Sequence, residues 1–322
     1  MRTQTKAYLA LVFICIVWGT TYLAIRVGVL HFPPFLFAAI RQVVAGVIII
    51  SIAVSIDKKA DLTSGNLLHQ AFVGFLLITV GNGLVTWGER YVPSGVAALI
   101  CSTMPISAVI VNLMASRKEK INGAILAGLL IGFAGVGLIF RDDVSDFTNT
   151  SYMMGMAGIF VATSSWAAGS VFNKKRISLV NPVFNAGLQL LFGGIFLWMI
   201  SAFADDYTNI DIMHPDVISS LIYLIVFGSV LAYTAYMFAL KELPVGIVTL
   251  YAYVNPLVAV VLGYWMLGEP LTWYTALAFV SIVSGVYLVN YGYRKQHRKQ
   301  EIKDFGTNAM SALPTEKSQT QH

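Results

Sequence analysis

Residues 90–105 read RYVPSGVAALICSTMP, and residues 241–256 read KELPVGIVTLYAYVNP. Both stretches begin with a basic residue, and they share proline, glycine, leucine and proline at the same spacing, 151 positions apart. Composition alone does not explain an ordered match of this kind. The match indicates an internal duplication, which decides how the whole chain is divided into structural units.

A second pair of stretches extends the duplication. Residues 18–34 read WGTTYLAIRVGVLHFPP and residues 166–182 read WAAGSVFNKKRISLVNP, so a shift of 148 places Trp18 on Trp166. The two shifts differ by only three positions. One repeat therefore occupies the first half of the chain, and a related repeat occupies the second half.

The composition indicates that the solvent is a lipid bilayer. The 322 residues are 57% hydrophobic and only 11% charged, with a mean hydropathy of +0.72. Soluble domains carry about 25% charged residues. Apolar runs long enough to span a bilayer predict ten transmembrane helices at residues 7–29, 34–56, 67–88, 93–115, 122–140, 153–173, 182–203, 217–239, 244–266 and 272–291.

The predicted fold is an all-α integral membrane protein built from two inverted five-helix repeats. Residues 7–140 form the first repeat (helices 1–5), and residues 153–291 form the second (helices 6–10). Because five is an odd number, the second repeat must enter the membrane from the opposite side. Inverted repeats are typical of alternating-access transporters. Residues 292–322 are polar, without apolar periodicity, and are predicted to form a disordered cytoplasmic tail.

The distribution of basic residues predicts the orientation. Most of the 21 Lys and Arg fall in the segments that are cytoplasmic if the N-terminus is cytoplasmic, so the positive-inside rule places both termini there. The net charge of +5 is explained by this asymmetry, and we expect no nucleic-acid partner.

The sequence offers no convincing catalytic or metal-binding motif. Cys15 and Cys101 lie inside apolar spans and are expected to be small buried residues, without a disulfide. The five histidines are scattered through loops, span ends and the tail, and there is no phosphate-binding glycine loop. We therefore expect no enzyme activity, no metal, no cofactor and no ATP-driven step.

Several stretches together resemble the drug/metabolite transporter superfamily and, within it, the ten-helix EamA exporter family. They are WGTTYLAIRVGV at 18–29, GNGLVTWGERYVPSGVAALICSTMP at 81–105, SWAAGSV at 165–171 and YAYVNPLVAVVLGYWMLGEPLT at 251–272. The resemblance implies a bacterial inner-membrane carrier that exports small metabolites, often amino acids. It also implies a central cavity lined by helices 1, 3, 4, 6, 8 and 9, with helices 5 and 10 peripheral.

The mid-span prolines Pro105 and Pro256 predict helix kinks, because each frees the carbonyl four residues earlier. Asn82 is the favoured binding residue, since it is a neutral amide between two glycines in the middle of span 3. Alternatively, the prolines only shape packing and the hydroxyls cap the freed carbonyls, while Asn82 makes an interhelical hydrogen bond worth about 0.6 kcal/mol. The candidate cavity residues are Trp18, Tyr22, Asn82, Trp87, Ser102, Thr103, Trp166, Tyr233, Tyr253 and Asn255.

No Asp or Glu lies deep inside a predicted span, since Glu89, Glu242 and Glu269 all fall at span ends. Buried carboxylates are the usual proton relays of membrane pumps. The sequence therefore argues against a proton-coupled mechanism based on a central acid, and it predicts that an imposed proton gradient has little effect on transport.

Charged residues near span ends suggest gates. We expect Arg41 or Arg26 to pair with Glu89 at the outer mouth, and Lys174 to pair with Glu242 at the inner mouth. The alternative is that these are static surface ion pairs worth less than about 1 kcal/mol.

Small residues recur at helical spacing in spans 5 and 10. Gly128 and Gly132 belong to the stretch GLLIG, and Ser281 and Gly285 have the same spacing. Such stripes let helices approach closely. They predict packing of helix 5 on helix 10 or, alternatively, a homodimer contact.

The sequence thus predicts a secondary transporter that exports small neutral or zwitterionic metabolites, such as amino acids, by alternating access. The alternatives are an importer or exchanger of sugar-type metabolites and, from a different class, a membrane-embedded enzyme or sensor. The expected partners are a small-molecule substrate, the lipid bilayer and a possible second copy of the chain.

Overall fold

The computed structural model describes residues 3–56, 61–115, 122–139, 149–175, 181–208, 210–267 and 273–311. Within these ranges every regular element is a helix, as predicted, and two of the elements are π-helical. The elements are α1 (Thr3–Val29), α2 (Pro34–Ile56), α3 (Ser64–Gly74), π1 (Phe75–Asn82), α4 (Gly83–Gly88), α5 (Ser94–Cys101), α6 (Met104–Ala115), α7 (Gly123–Ile139), α8 (Thr150–Lys175), α9 (Pro182–Ala204), α10 (Pro215–Tyr223), π2 (Leu224–Leu231), α11 (Ala232–Glu242), α12 (Val245–Val248), α13 (Tyr251–Leu267) and α14 (Trp273–Ser311).

Seven helical segments among the described residues are long and apolar enough to cross a bilayer. In two of them a π-helical segment joins α-helices into one continuous rod, from Ser64 to Gly88 and from Pro215 to Glu242. Shorter apolar helices occupy predicted spans 5 and 9, and α5 and α6 together occupy predicted span 4. The count of ten spans stays a prediction for these three.

The sequence marks several helix starts by the expected chemistry. Pro182 takes the first helical position of α9, and the Asn181 side chain accepts hydrogen bonds from the N–H groups of Val183 and Phe184, both at 3.1 Å. An Asn cap followed by proline satisfies free N–H groups at a helix start. The start of α9 is therefore determined by its local sequence.

The two π-helical segments occupy matching places in the two repeats, and the sequence analysis did not predict them. Widened helical turns leave carbonyl groups that need other donors, and such segments are frequent at functional sites. Ser165 Oγ donates to the Leu76 carbonyl of π1 at 2.8 Å, and Trp18 Nε1 donates to the Gly228 carbonyl of π2 at 2.9 Å. In each case the donor comes from the first helix of the other repeat.

The helix breaks agree with the proline prediction in one repeat only. In the first, the chain breaks between Cys101 and Met104, just before Pro105. In the second, Pro256 lies inside α13, and the break comes earlier, between α12 and α13. There a Cβ atom added at Gly246 of α12 would clash with the Tyr293 side chain of α14. The break therefore lies where α12 packs on α14 and not at the proline.

The helices of the two repeats interlock. Helix α1 packs on α11 and α13, and α8 correspondingly packs on π1 and α6. Helices α2 and α9 run against each other, as do α7 and α14. A Cβ atom added at Gly285 would lie 2.6 Å from the Gly128 carbonyl oxygen. The predicted close packing of helix 5 on helix 10 is thus confirmed within one chain.

The C-terminal segment differs from its prediction. Helix α14 continues from the membrane span to Ser311, whereas a disordered tail was expected from residue 292. A helix that is already nucleated propagates at little cost through Arg, Lys, Gln and Glu, which are good helix formers. Residues 312–322 lie outside the described residues.

Some of the basic residues that predict the orientation also lie outside the described ranges. They are Arg2, Lys58, Lys59, Arg117, Lys118, Lys120, Arg141, Arg176 and Lys317. Glu269, predicted at a span end, lies outside them as well. The placement of both termini in the cytoplasm stays a prediction.

Candidate functional site: a cavity between the repeats

A cavity lies between the two repeats and holds about 690 Å³ of space not filled by protein atoms, including its open mouth. Its walls come from both halves of the chain. The lining residues are Trp18, Thr21, Tyr22, Ile25, Arg41, Gln42, Ile78, Gly81, Asn82, Val85, Cys101, Met104, Ala162, Thr163, Trp166, Leu190, Gly228, Ser229, Tyr233, Tyr251, Ala252 and Asn255.

Predicted helices 1, 3, 4, 6, 8 and 9 all contribute to this lining, as the family resemblance implied. Helices 5 and 10 contribute none of these residues. Six of the ten candidate residues line the cavity: Trp18, Tyr22, Asn82, Trp166, Tyr233 and Asn255.

The other four candidates lie elsewhere among the described residues. Trp87 packs beside Gly158 of α8, and Ser102 is fully buried. Thr103 Oγ1 donates to the Ile100 carbonyl at 2.8 Å. The Tyr253 hydroxyl donates to a carbonyl of α7 at 3.1 Å. Residue type and span did not separate these four from the lining residues. The break before Pro105 turns Ser102 and Thr103 away, the packing of α13 on α7 turns Tyr253 away, and Trp87 packs against α8.

Aromatic rings dominate one wall of the cavity. The Trp18 ring centroid lies 5.6 Å from that of Trp166 and 4.8 Å from that of Tyr251, both in edge-to-face geometry. The indole N–H groups are already used, since Trp18 donates to the Gly228 carbonyl and Trp166 donates to the Tyr236 hydroxyl at 3.2 Å. These side chains therefore offer ring surface rather than hydrogen bonds.

A chain of buried polar groups forms another part of the lining. Arg41 Nε donates to Ser229 Oγ at 2.9 Å, Ser229 Oγ donates to Gln42 Oε1 at 3.2 Å, and Gln42 Nε2 donates to Asn82 Oδ1 at 2.9 Å. Arg41, Gln42 and Ser229 are each less than 5% exposed. The chain links α2 and π1 of the first repeat to π2 of the second along the cavity lining.

Sequence reasoning missed that α2 and α9 reach the cavity, through Arg41, Gln42 and Leu190. Arg41 was expected as a gate residue paired with Glu89, but its Nε bonds Ser229 in the cavity wall. Two adjacent polar residues in the middle of span 2 were the available signal. Whether these side chains point into the cavity depends on how α2 packs on α9 and π2, and this packing is not predictable from the sequence.

Glu89 corrects the expectation that no carboxylate is buried. It follows α4 directly, at a span end as predicted, yet it is 0% exposed. Neither carboxylate oxygen has a hydrogen-bond partner among the described residues. The charges of Arg26 and Arg41 both act on it. The span end is itself buried, so a position at a span end does not exclude Glu89 as a buried acid. The sequence-based reason against proton coupling through an acid therefore no longer holds.

Arg26 and Lys174, which align in the two repeats, act as cationic caps on helix ends. Arg26 Nη1 donates to the backbone carbonyl of Glu89, and Lys174 Nζ donates to that of Leu240 at 2.6 Å. Glu89 and Leu240 are themselves 151 positions apart, so the same carbonyl is bound in each repeat. A cation at a helix C-terminus interacts favourably with the helix dipole. These backbone contacts replace the predicted ion pair of Arg26 with the Glu89 carboxylate.

The two caps lie at opposite ends of the molecule. Ile25, next to Arg26, packs in a cluster with Val217 and Leu221 at the start of the Pro215–Glu242 rod. Lys174 binds the carbonyl groups of Leu240 and Lys241 at the end of that rod. At 1.5 Å per residue, the two sites are about 35 Å apart along the helix.

A surface cluster joins loops of the two repeats. The His31 and His214 rings stack with their centroids 3.9 Å apart, and an Asp216 carboxylate oxygen lies 3.8 Å from a nitrogen of each. His214 Nδ1 also accepts the backbone N–H of Asp216 at 3.3 Å, which caps α10. The sequence had placed these histidines in unrelated loops.

Long apolar helices, two related halves and a shared cavity define a membrane transporter. The chain belongs to the EamA-like transporter family, whose profile matches residues 5–141 and 153–291. It is similar to "Uncharacterized inner membrane transporter YedA" of Escherichia coli (strain K12), with 34% identity over 287 residues, 88% of this chain and 90% of the relative. "Uncharacterized transporter YvbV" of Bacillus subtilis (strain 168) is 27% identical over 309 residues, 96% of this chain and 98% of the relative.

A solved crystal structure shares the fold. It superposes with a TM-score of 0.74 at 18% sequence identity and covers 90% of this chain and 98% of its own.

Proposed function

We propose that the protein is a secondary transporter of the bacterial inner membrane that exports small neutral or zwitterionic metabolites, such as amino acids. The observation that carries the proposal is the cavity, because residues of both repeats line it together. A substrate held there contacts both halves at once, so their relative movement can expose it first to one side and then to the other.

The helix packing supports alternating access between two inverted five-helix repeats. Equivalent cations of the repeats cap helices at opposite ends of the Pro215–Glu242 rod. If both halves can adopt either packing, exchanging their roles closes one end and opens the other at similar energy. The name of the Escherichia coli relative supports the inner membrane as the location.

Counterflow in proteoliposomes tests the proposal. Vesicles loaded with one unlabelled amino acid at a time are diluted into a trace of the labelled compound, and a carrier accumulates label transiently without any ion gradient. We expect at least one member of a panel of neutral amino acids to show counterflow that empty liposomes lack. Absence of counterflow across the panel would refute export of this substrate class.

A matched pair of variants on α8 connects flux to the cavity. Ala162 lines the cavity and is 1% exposed, whereas Ala157 lies on the exposed surface of the same helix. We expect Ala162→Trp to fill the cavity and abolish counterflow, and Ala157→Trp to leave it within about twofold of the wild-type rate. Size-exclusion profiles check that both variants are folded. Equal flux through the two variants would remove the cavity from the transport path.

A further inference from the structure

We propose that Arg41 and Asn82 form a binding site for a carboxylate group of the substrate, at one side of a cavity whose remaining surface suits an apolar or aromatic body. This inference rests on the proposed function and narrows its substrate class. It gives Arg41 a role in substrate binding rather than in a gate.

The direction of the buried hydrogen-bond chain supports an anion site. Every bond from Arg41 through Ser229 and Gln42 to Asn82 donates in the same sense. Asn82 therefore uses its oxygen as an acceptor and keeps both amide hydrogens as donors. At the other end, Arg41 Nη1 is buried and has no hydrogen-bond partner among the described residues. The chain thus presents donors at both ends.

The excess of positive charge around Arg41 also favours an anionic ligand. Arg26 and Arg41 are the two cations acting on Glu89. Even if Glu89 is ionised, one of these two positive charges is left without a counter-ion among the described residues. A buried cation without a partner costs free energy, and an arginine that lines a cavity meets this need by binding an anion. A guanidinium group matches the planar geometry of a carboxylate.

The equivalent position in the second repeat lacks a free hydrogen-bond donor. Asn82 aligns with Tyr233 under the shift of 151, and Tyr233 also lines the cavity. Its hydroxyl donates its single hydrogen to Gln189 Oε1 at 2.7 Å, and Gln189 Nε2 donates to Gln70 Oε1 at 2.6 Å. The donors of Tyr233 and Gln189 are therefore bonded to other side chains of this network. The free donors are therefore on the Arg41 side, which gives the substrate one defined orientation.

The two threonines of the lining do not compete as anion ligands. Thr21 Oγ1 donates to the Trp18 carbonyl at 2.8 Å, and Thr163 Oγ1 donates to the Ile159 carbonyl at 2.9 Å. The indole N–H groups are also used, and Arg41 and Asn82 are the donors that we assign to a carboxylate in the cavity. The rings of Trp18 and Trp166 then face the rest of the molecule.

Binding of matched acid and amide pairs tests the assignment on the purified full-length protein. The probes are 3-phenylpropanoate with 3-phenylpropanamide, and 4-methylpentanoate with 4-methylpentanamide. Quenching of tryptophan fluorescence reports binding, because two indoles line the cavity, and shifts of the unfolding temperature check it. We expect each acid to bind at least about tenfold more tightly than its amide, as charge-assisted hydrogen bonds imply.

Four variants assign the selectivity to residues. We expect Arg41→Gln to reduce the acid preference to about twofold or less, whereas the exposed control Arg90→Gln retains it. Asn82→Ala weakens acid binding through loss of a donor. Asn82→Asp weakens it further, because the new carboxylate still accepts from Gln42 but repels the probe.

The outcomes separate this inference from the proposed function. Equal binding of acids and amides, no binding by any acid, or full acid preference in Arg41→Gln would overturn the carboxylate site. Counterflow of an amino acid that Arg41→Gln leaves unchanged would keep the transporter and remove the site. Acid-selective binding that depends on Arg41, without counterflow of any panel member, would keep the site and remove the proposed export of amino acids.

Discussion

Removing either cationic cap should bias the transporter toward opening at one end. Arg26 ties the end of α1 to the end of α4, and Lys174 ties the end of α8 to the end of α11. The caps lie at opposite ends of the molecule. If each contact persists only while its own end is closed, Arg26→Gln and Lys174→Gln must shift the conformational equilibrium in opposite directions.

The magnitude follows from the contacts. Arg26 Nη1 donates to two carbonyl oxygens, of Glu89 and of Val92, the latter at 3.3 Å. Lys174 Nζ also donates to two carbonyl oxygens, both at 2.6 Å. A hydrogen bond from a charged group contributes about 1.5–3 kcal/mol. Because Arg26 is only partly buried, we take this range for each whole cap, which corresponds to a shift of about 10- to 150-fold.

The chain supplies its own reporter for the assay. Cys101 lines the cavity, and Cys15, the other of its two cysteines, is replaced by Ser in the background variant. A membrane-impermeant maleimide is applied to right-side-out and inside-out vesicles, and the labelling rate of Cys101 is measured from each side. We expect each cap variant to raise the rate on its own side by about tenfold or more.

The exposed residue Arg90 provides the control, since Arg90→Gln removes a surface charge near the same end as Arg26. Its labelling should match the background on both sides. Faster labelling from one common side in both cap variants, or no change in either, would refute the idea that the caps hold alternate ends closed.

Three further predictions concern the buried groups. If Glu89 is ionised, Glu89→Gln should tighten binding of the carboxylate probes by roughly three- to tenfold, because it then removes a buried negative charge close to the cavity; weaker binding in the titrations would contradict this electrostatic account. Gly285→Ala should lower the free energy of unfolding by about 1–3 kcal/mol, since its Cβ meets the backbone of α7, while Gly137→Ala, with nothing within 4 Å, should leave the thermal transition unchanged. Trp18→Phe should cost about 1–3 kcal/mol by leaving the Gly228 carbonyl of π2 unsatisfied, and a denaturation midpoint equal to wild type would show that another donor replaces the indole.

Much of the fold was predictable because lipid imposes simple local rules. Long apolar runs must form helices to satisfy their backbone groups, so the helix positions follow from hydropathy. The duplication is visible as repeated prolines, glycines and tryptophans. The contact between Gly128 and Gly285 was also predictable, because only small residues allow such close packing of helices.

The cavity was predictable only in part. Trp18, Asn82 and Tyr233, which were predicted because they are polar or aromatic residues within spans, lie in its lining. Trp87 and Tyr253 have the same character but pack against neighbouring helices. A membrane helix is apolar on all of its faces, so the hydropathy pattern does not indicate which face lines the cavity.

The sequence by itself determined that this chain is a duplicated, helical membrane protein, because hydropathy and internal repetition are properties of residues in order along the chain. Only the tertiary structure decided that Arg41 reaches the cavity, that Glu89 is buried, and that Arg26 and Lys174 bind backbone carbonyl groups at helix ends. The reason is that hydrogen bonds and burial depend on which surfaces of distant helices meet. These contacts are fixed by side-chain packing between residues that are 63 to 188 positions apart in the sequence.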